Sequence, residues 1–357
     1  MSRAKVVSII GARPQFVKAS VMSRAFQNAA VEEALLDTGQ HYDTNMAKIF
    51  FEEMSIPKPK YNLKVGSGTH ANQTADSLTG IEEVLLIEKP DIIVVYGDTN
   101  ATIAGALAAA KLHIKIAHIE AGLRSFNRKM PEEINRIVTD TLSDLLFVPT
   151  QVAVDNLSRE GISKGVYLVG DVMVDALQVF TELAERKSDV LTRLNLHAEE
   201  FGLMTIHRPS NADHDDRLSE ILSRVGESEL QVVFPVHPRS RPRVEKLISN
   251  LSSGNIQITD PVGYLDMMLL EKYAKIIITD SGGVQKESYL HKTHCLTIRS
   301  ETEWVETVQD GWNLLLGDRL DEIPKYMRSF PAPSGWSPHY GDGKSSKKIV
   351  DLILNSL

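Results

Sequence analysis

Between His118 and Arg136 the chain reads HIEAGLRSFNRKMPEEINR, with Glu120 at one end, Glu132 and Arg136 at the other, and a basic stretch between them. Carboxylates can take and return protons while cations hold an anion, so the segment suits acid–base work on an anionic substrate. The apolar run IKIA ahead of it reads as a buried strand. That places Glu120 where a parallel strand opens into a loop, the edge at which ligands collect. Pro131 suits a first helical position and Glu132 and Glu133 a first turn.

Other loci share this layout. The first apolar run ends in Gly11-Ala12-Arg13-Pro14-Gln15, with Lys18 following. Glycine allows a close turn, a helix start offers free N–H groups, and Arg13 and Lys18 suit a diphosphate; an ordinary βα turn with solvated cations is equally compatible. Asp280-Ser281-Gly282-Gly283, after KIIIT, is a stronger nucleotide signal. Its backbone amides suit a phosphate, and Glu287, about a turn into the next helix, suits ribose hydroxyls. Asp98, in Tyr96-Gly97-Asp98-Thr99, is either a helix N-cap or the partner of Glu120 in a carboxylate dyad. His207-Arg208 and His237-Pro238-Arg239 each put a histidine just past a strand, fit for proton transfer or a phosphate hydrogen bond. Gln40, in Gly39-Gln40-His41-Tyr42-Asp43, lines the same edge or belongs to a polar loop. His291 and His294 lack an accompanying acid or cysteine framework, so no metal site is expected.

The elements that must position these residues form a βα series. VVSIIG, ALLDTG, IIVVYGD, IKIAHIE and LLFVP alternate with helical stretches, among them QFVKASVMSRAF, TNMAKIFFEEM and TIAGALAAAKL. FGLMTIH, QVVFPVH, IQIT, KIIIT and HCLTI form a second series. The expectation is an α/β protein of two Rossmann-like, doubly wound parallel-sheet domains. Residues 1–170 form the first, with a C-terminal helix at 343–357 packing back on it, and residues 171–342 form the second. Residues 57–71 and 331–343 read as loops.

With 357 residues, two cores are affordable; a net charge of −8 argues against a general nucleic-acid binder. The single cysteine, Cys295, excludes an intrachain disulfide and a multi-thiolate metal site. No apolar run approaches membrane-span length and no signal-peptide core follows the N-terminus, so the expected location is cytoplasmic.

Taken in order, GARPQFVK, DTGQHYD, YGDTNATIAGALAA, HIEAGLRS, PEEINR, TIHR, PVHPR and TDSGGVQKE resemble the bacterial and archaeal UDP-N-acetylglucosamine 2-epimerases over most of the chain. The resemblance implies a GT-B fold with the sugar nucleotide in a cleft between the domains, a homodimer, and C2 inversion without NAD or metal. It implies loss of UDP to give a 2-acetamidoglucal and re-addition with protonation on the opposite face. By motif, Asp98, Glu120, Glu132 and His207 are similar to the family's catalytic set. Arg13, Lys18, Arg136, His237, Ser281, Gly282, Gly283 and Glu287 are similar to its nucleotide-binding set. A hydrolysing relative, a GT-B glycosyltransferase and a sugar-nucleotide sensor are the competing expectations, since fold alone cannot choose.

Several positions depart from the common family pattern. Arg208-Pro209-Ser210-Asn211 stands for Arg-Arg-Glu-Asn, Trp304 for an arginine, Met267 for an aromatic, and Asp43 for a glutamine linked to allosteric activation. GARPQF, SFNRKMPEEINR and TEWVE look more like the branch acting on UDP-2,3-diacetamido-2,3-dideoxyglucuronate. Arg128 or Lys129 is then the candidate cation for the extra sugar carboxylate.

Overall fold

Each strand expected from an apolar run is present in the computed structural model of the chain, which describes residues 3–39, 56–249, 251 and 254–357. Two compact units result, Met1–Phe180 with Pro338–Leu357, and Thr181–Ser337.

In the first unit, β1 (Lys5–Ile10), β2 (Glu32–Asp37), β3 (Tyr61–Asn62), β4 (Ile92–Tyr96), β5 (Lys115–Ile119), β6 (Leu145–Val148) and β7 (Val166–Leu168) form one parallel sheet. Their order is β3-β2-β1-β4-β5-β6-β7, which reverses direction between β1 and β4. The connecting helices are α1 (Arg13–Asn28), α2 (His70–Glu88), α3 (Asn100–Lys111), α4 (Pro131–Leu142) and α5 (Gln151–Arg159), followed by α6 (Val172–Lys187). TNMAKIFFEEM falls outside the described residues. β1, β4 and β5 are short apolar runs covered on both faces, hence their lack of alternation. On one face Ile9, Ile93 and Val95 pack with Ala101, Ala104 and Ala108 of α3, whose small side chains let that helix lie close to the sheet.

In the second unit, α7 (Val190–Arg193) precedes β8 (Phe201–Thr205), and α8 (Pro209–Ala212) and α9 (Asp215–Gly226) lead to β9 (Gln231–Pro235). Then come α10 (Arg241–Ser249), β10 (Ile256–Thr259), α11 (Tyr264–Tyr273), β11 (Ile276–Thr279), α12 (Gly282–His291), β12 (His294–Thr297), α13 (Val305–Gln309), β13 (Asn313–Leu315) and α14 (Ile323–Arg328). The sheet is parallel, ordered β10-β9-β8-β11-β12-β13, with its reversal between β8 and β11. Met204, Val232, Phe234, Ile278 and Leu296 form its core against Leu218, Ile221, Leu222 and Val225 of α9.

The division between units, Phe180/Thr181, falls inside α6, ten residues beyond the expected 170/171 boundary. The last helix, α15 (Ser345–Ser356), belongs to the first unit and packs on α1. Asp175 of α6 caps it, accepting the N–H groups of Ser345 and Ser346 at 3.1 and 2.8 Å and the Ser346 hydroxyl at 2.6 Å. Residues 57–71 are not all loop, because β3 lies within them and pairs Tyr61 with Leu36 and Asn62 with Asp37. Two residues are too few to give an apolar run. Among the described residues, no helix is long and apolar enough to cross a membrane.

Glu88, at the end of α2, ties the β3 edge to the rest of the sheet. Lys5 and Lys60 reach it at 2.7 and 2.6 Å, and the Tyr61 hydroxyl donates to it. Burial works to raise its pKa, but these three donors prevail and hold it at about 2. A depressed carboxyl contributes stability that is complete above the ordinary glutamate range and is lost as pH falls toward that value. Glu88→Gln should therefore flatten the acid limb of melting temperature against pH; an unchanged limb would remove Glu88 from the account of acid stability.

Candidate active site

β1, β4 and β5 end side by side at the reversal point of the first sheet. Tyr96 is paired with Ile119, so Gly97 and Glu120 are the next residues out on adjacent strands. Gly97 has φ +61° and Glu120 φ +72°, the left-handed region that turns each chain sharply out of the sheet. A Cβ at Gly97 would lie 3.3 Å from Glu120 Oε2 and 3.7 Å from Lys18 Nζ, so glycine at 97 leaves room for that pair. Lys18, from α1, forms a buried ion pair with Glu120.

Asp98 does not cap α3. Thr99 is the N-cap, its hydroxyl accepting the Thr102 N–H at 3.3 Å, and Asp98 is left to pair with Arg136 of α4. Asn135 steadies the same turn by donating to the Asp98 carbonyl at 2.8 Å. Glu132 is half-buried on the first turn of α4 and makes no hydrogen bond or ion pair among the described residues. Its neighbour Glu133 is the buried one, bound to Arg136 Nη1 at 3.1 Å.

In the turn after β1, Gln15 Oε1 accepts the N–H groups of Gly11 and Ala12 at 2.7 and 3.0 Å, so these two amides are taken. Gln15 Nε2 reaches the Tyr96 carbonyl at 2.6 Å and the Thr99 and Thr102 hydroxyls at 3.0 Å. Gln15 is thus a buried strap between the β1 and β4 turns. Arg13 is the first residue of α1. Gln40 lies outside the described residues.

Beneath the turns sits a polar network with no counterpart among the expected site residues. Asp140 of α4, fully buried, accepts His118 Nδ1–H at 2.7 Å, Arg124 Nη1–H at 2.7 Å and the Gly122 N–H at 3.1 Å. The other His118 nitrogen, Nε2, donates to the Gly97 carbonyl at 2.8 Å. Both ring nitrogens therefore face oxygen acceptors. Arg124 also binds Glu160 in a two-pronged pair, each contact 2.7 Å. Burial opposes ionisation of Asp140, but His118 and Arg124 prevail and hold its pKa below the usual carboxylate value.

In the second unit Asp280, fully buried at the end of β11, gathers the β8 turn. Its carboxylate accepts the N–H groups of His207 and Arg208 at 3.1 and 3.0 Å and the Asn211 side chain at 3.1 Å. His207 Nδ1 is 3.3 Å from the same carboxylate, while most of the imidazole remains exposed. Ser281 is the N-cap of α12, its hydroxyl accepting the Val284 N–H at 3.5 Å, and Gly282 and Gly283 form the first turn. Glu287 lies further along α12, half-buried. His237 is exposed past β9, and its Nδ1 accepts the Arg239 N–H at 3.2 Å, which leaves Nε2 as the nitrogen carrying hydrogen.

Trp304, at the family's arginine position, is buried beneath Lys286, whose ammonium stands 4.1 Å from its ring centre. Arg299 Nη2 bonds Glu303 at 3.0 Å, and a Cβ at Gly282 would come within 2.7 Å of that carboxylate, so a larger residue there would displace it. His291 is pushed down to about 4 by burial and by Lys272, and His294 is stacked against Phe330 at 4.3 Å; both are packed within the fold. Among the described residues no cluster of three acids, histidines or cysteines forms a metal site.

Gln15, His118, Asp140 and Glu133 hold the site residues in place without standing out as such in the sequence. A signal existed only for His118 and Asp140, polar residues at positions whose spacing is that of a buried strand and a helix face. Asp140→Asn leaves His118 and Arg124 facing a partner with one acceptor fewer. It should cost about 3–5 kcal/mol of stability, measured by denaturant unfolding; a loss under about 1 kcal/mol would mean the network is incidental.

The family model for UDP-N-acetylglucosamine 2-epimerase matches residues 24–354. A Methanococcus maripaludis protein named UDP-N-acetylglucosamine 2-epimerase homolog is 51% identical, over 98% of this chain and 99% of its own length. The UDP-2,3-diacetamido-2,3-dideoxy-D-glucuronate 2-epimerase of Pseudomonas aeruginosa is 46% identical, with 98% and 99% covered. The crystal structure of Methanocaldococcus jannaschii UDP-GlcNAc 2-epimerase in complex with UDP-GlcNAc and UDP superposes with a TM-score of 0.91 at 44% identity, covering 98% and 99%.

Proposed function

Because this chain belongs to the UDP-N-acetylglucosamine 2-epimerase family, we propose that it inverts C2 of a UDP-linked 2-acetamido sugar, without metal or dinucleotide. Its two Rossmann-like units are those of the GT-B fold. The observation that carries the mechanistic reading is the pair of ion pairs at adjacent strand ends, Lys18 with Glu120 and Arg136 with Asp98.

The C2 hydrogen of such a sugar is not acidified by a neighbouring carbonyl, so cleavage of the C1–O bond must lead. Its electron pair leaves with UDP, positive charge develops at C1, and a base removes the C2 proton to give the 2-acetamidoglucal. Return of UDP to C1 with a proton delivered to the other face of C2 completes the inversion. Carboxylates stabilise the C1 cation and exchange the proton, and we assign these tasks to Asp98, Glu120 and Glu132 with His207. Asp280 fixes the His207 backbone and ring, as required of a group that must meet a moving proton. The diphosphate is assigned to the α12 start at Ser281, Gly282 and Gly283, with Arg13, Lys18, Arg136, His237 and Gln40 as further ligands and Glu287 on the ribose. Lys18 and Arg136 then have two partners, a carboxylate and the departing phosphate. The competition between them links leaving-group departure to the state of the base.

The sugar proposed is the 2,3-diacetamido-2,3-dideoxyglucuronate. Arg128 and Lys129 are exposed on the loop after Glu120 and are available to its extra carboxylate. The enzyme would act as a cytoplasmic homodimer in the synthesis of a cell-envelope polysaccharide.

Incubation with UDP-N-acetylglucosamine, and separately with the diacetamido-uronate analogue, in deuterated water should place deuterium at C2 with UDP retained, read by NMR. Free sugar plus UDP would instead identify a hydrolysing enzyme, and no turnover without an acceptor a transferase. His207→Ala and Glu120→Gln should each lower C2 exchange by about 10²-fold or more while sparing UDP affinity. Equal loss of both would reduce these residues to binding or structural roles. Preference for UDP-N-acetylglucosamine over the uronate would overturn the proposed sugar.

A further inference from the structure

Glu133 is 1% exposed, and both its carboxylate oxygens are engaged. Oε2 accepts the Ser125 N–H at 2.8 Å and its hydroxyl at 3.0 Å; Oε1 accepts the Phe126 N–H at 2.9 Å. Oε2 is also 3.1 Å from Arg136 Nη1, and the other end of that guanidinium binds Asp98.

An acid at this third helical position ordinarily reaches back to cap the N–H of the residue before the helix. Here that N–H, of Met130, already bonds the Asn127 carbonyl at 3.0 Å, and Glu133 reaches past it to Ser125 and Phe126. Two successive N–H groups converge on one carboxylate, an anion-holding nest built inside the chain. The nest holds Phe126 in a conformation it would not choose alone. Its φ is +58°, rare for a bulky aromatic, and its side chain is 72% exposed, so no packing of the ring explains it.

We propose that Glu133 is a positioning residue that couples sugar selection to proton transfer. Through its nest it sets the Ser125–Lys129 loop, and through Arg136 it sets Asp98. The two tasks share one carboxylate, so a sugar that fits the loop poorly disturbs the acid–base group as well. The inference rests on the 2-epimerase reading and adds to it the device by which that site discriminates between UDP-linked sugars carrying one or two acylamino groups and a C6 alcohol or carboxylate.

Glu133→Gln keeps the volume but turns an amide N–H₂ toward groups that are themselves donors, so either the nest or the Arg136 contact must fail. Steady-state rates and C2 deuterium exchange are to be measured on both UDP sugars, together with UDP affinity. The expected result is a fall in exchange of about 10²-fold, a kcat/KM ratio between the two sugars moved toward one, and UDP affinity within about threefold of wild type; Glu133→Asp, which keeps the charge, should recover part of the ratio. Ser125→Ala removes one contact only and should move the ratio in the same direction by less, which keeps the test open should Glu133→Gln fail to fold. A proportional fall on both sugars, with the ratio unchanged in every variant that folds, overturns the proposal and leaves Glu133 as structural support. Absence of C2 exchange in the wild-type enzyme is a different result, which overturns the parent reading instead.

Discussion

A single buried carboxylate, Asp140, anchors the strand-end turns that carry Asp98 and Glu120. Ionising a group there is unfavourable unless donors surround it, and this one is met by His118, Arg124 and the Gly122 amide. Through His118 it takes hold of the Gly97 carbonyl, one residue before Asp98; through Gly122 and Arg124 it holds the chain just past Glu120. The two acids thus stand on turns fixed from below. Gln15 adds a lateral strap from the β1 turn to the β4 turn, at the cost of amides that would otherwise suit an anion.

The second unit reaches a similar end with a different carboxylate. Asp280 ends β11 and binds the start of the β8 turn, holding His207 through both its backbone and its ring while leaving most of the imidazole open. In each sheet a buried acid holds backbone groups of strand-end turns, those after β4 and β5 in the first and the turn after β8 in the second. Groups at these edges are thus held in place by buried neighbours.

Much of this was legible in the sequence. The apolar runs IIVVY, KIIIT and FGLMT announce buried parallel strands, and Pro131 marks the start of α4 at the residue where the helix begins. The polar residues just past those runs are where the structure puts its ion pairs. The missed strands β3, β7 and β13 have two or three residues each, and the runs VYLV and LLL around the last two are too short to announce a strand; their pairing is set by neighbouring strands. The role of Glu133 was illegible for another reason. Glu132 and Glu133 are adjacent and chemically alike, and only the three-dimensional course of the Leu123–Met130 loop decides that the second is buried and the first is not. Of the two readings of Asp98, the cap falls away because Thr99 takes that role, and the ion pair with Arg136 was in neither.

The brevity of the outer strands has a consequence for the chain in crowded solution. Both sheets finish in strands of two to four residues, β3 and β7 in one and β10 and β13 in the other. A sheet margin is a row of unpaired amides and carbonyls on which another chain can template itself, and the hazard grows with the length of the row. Here the row ends almost as soon as it begins, and Lys60 and Lys64 bracket β3 with charge. The long, apolar, aggregation-prone segments, IIVVY above all, are kept at the centre. Such a chain is most exposed to self-association while it is still folding, before the central strands have acquired their neighbours.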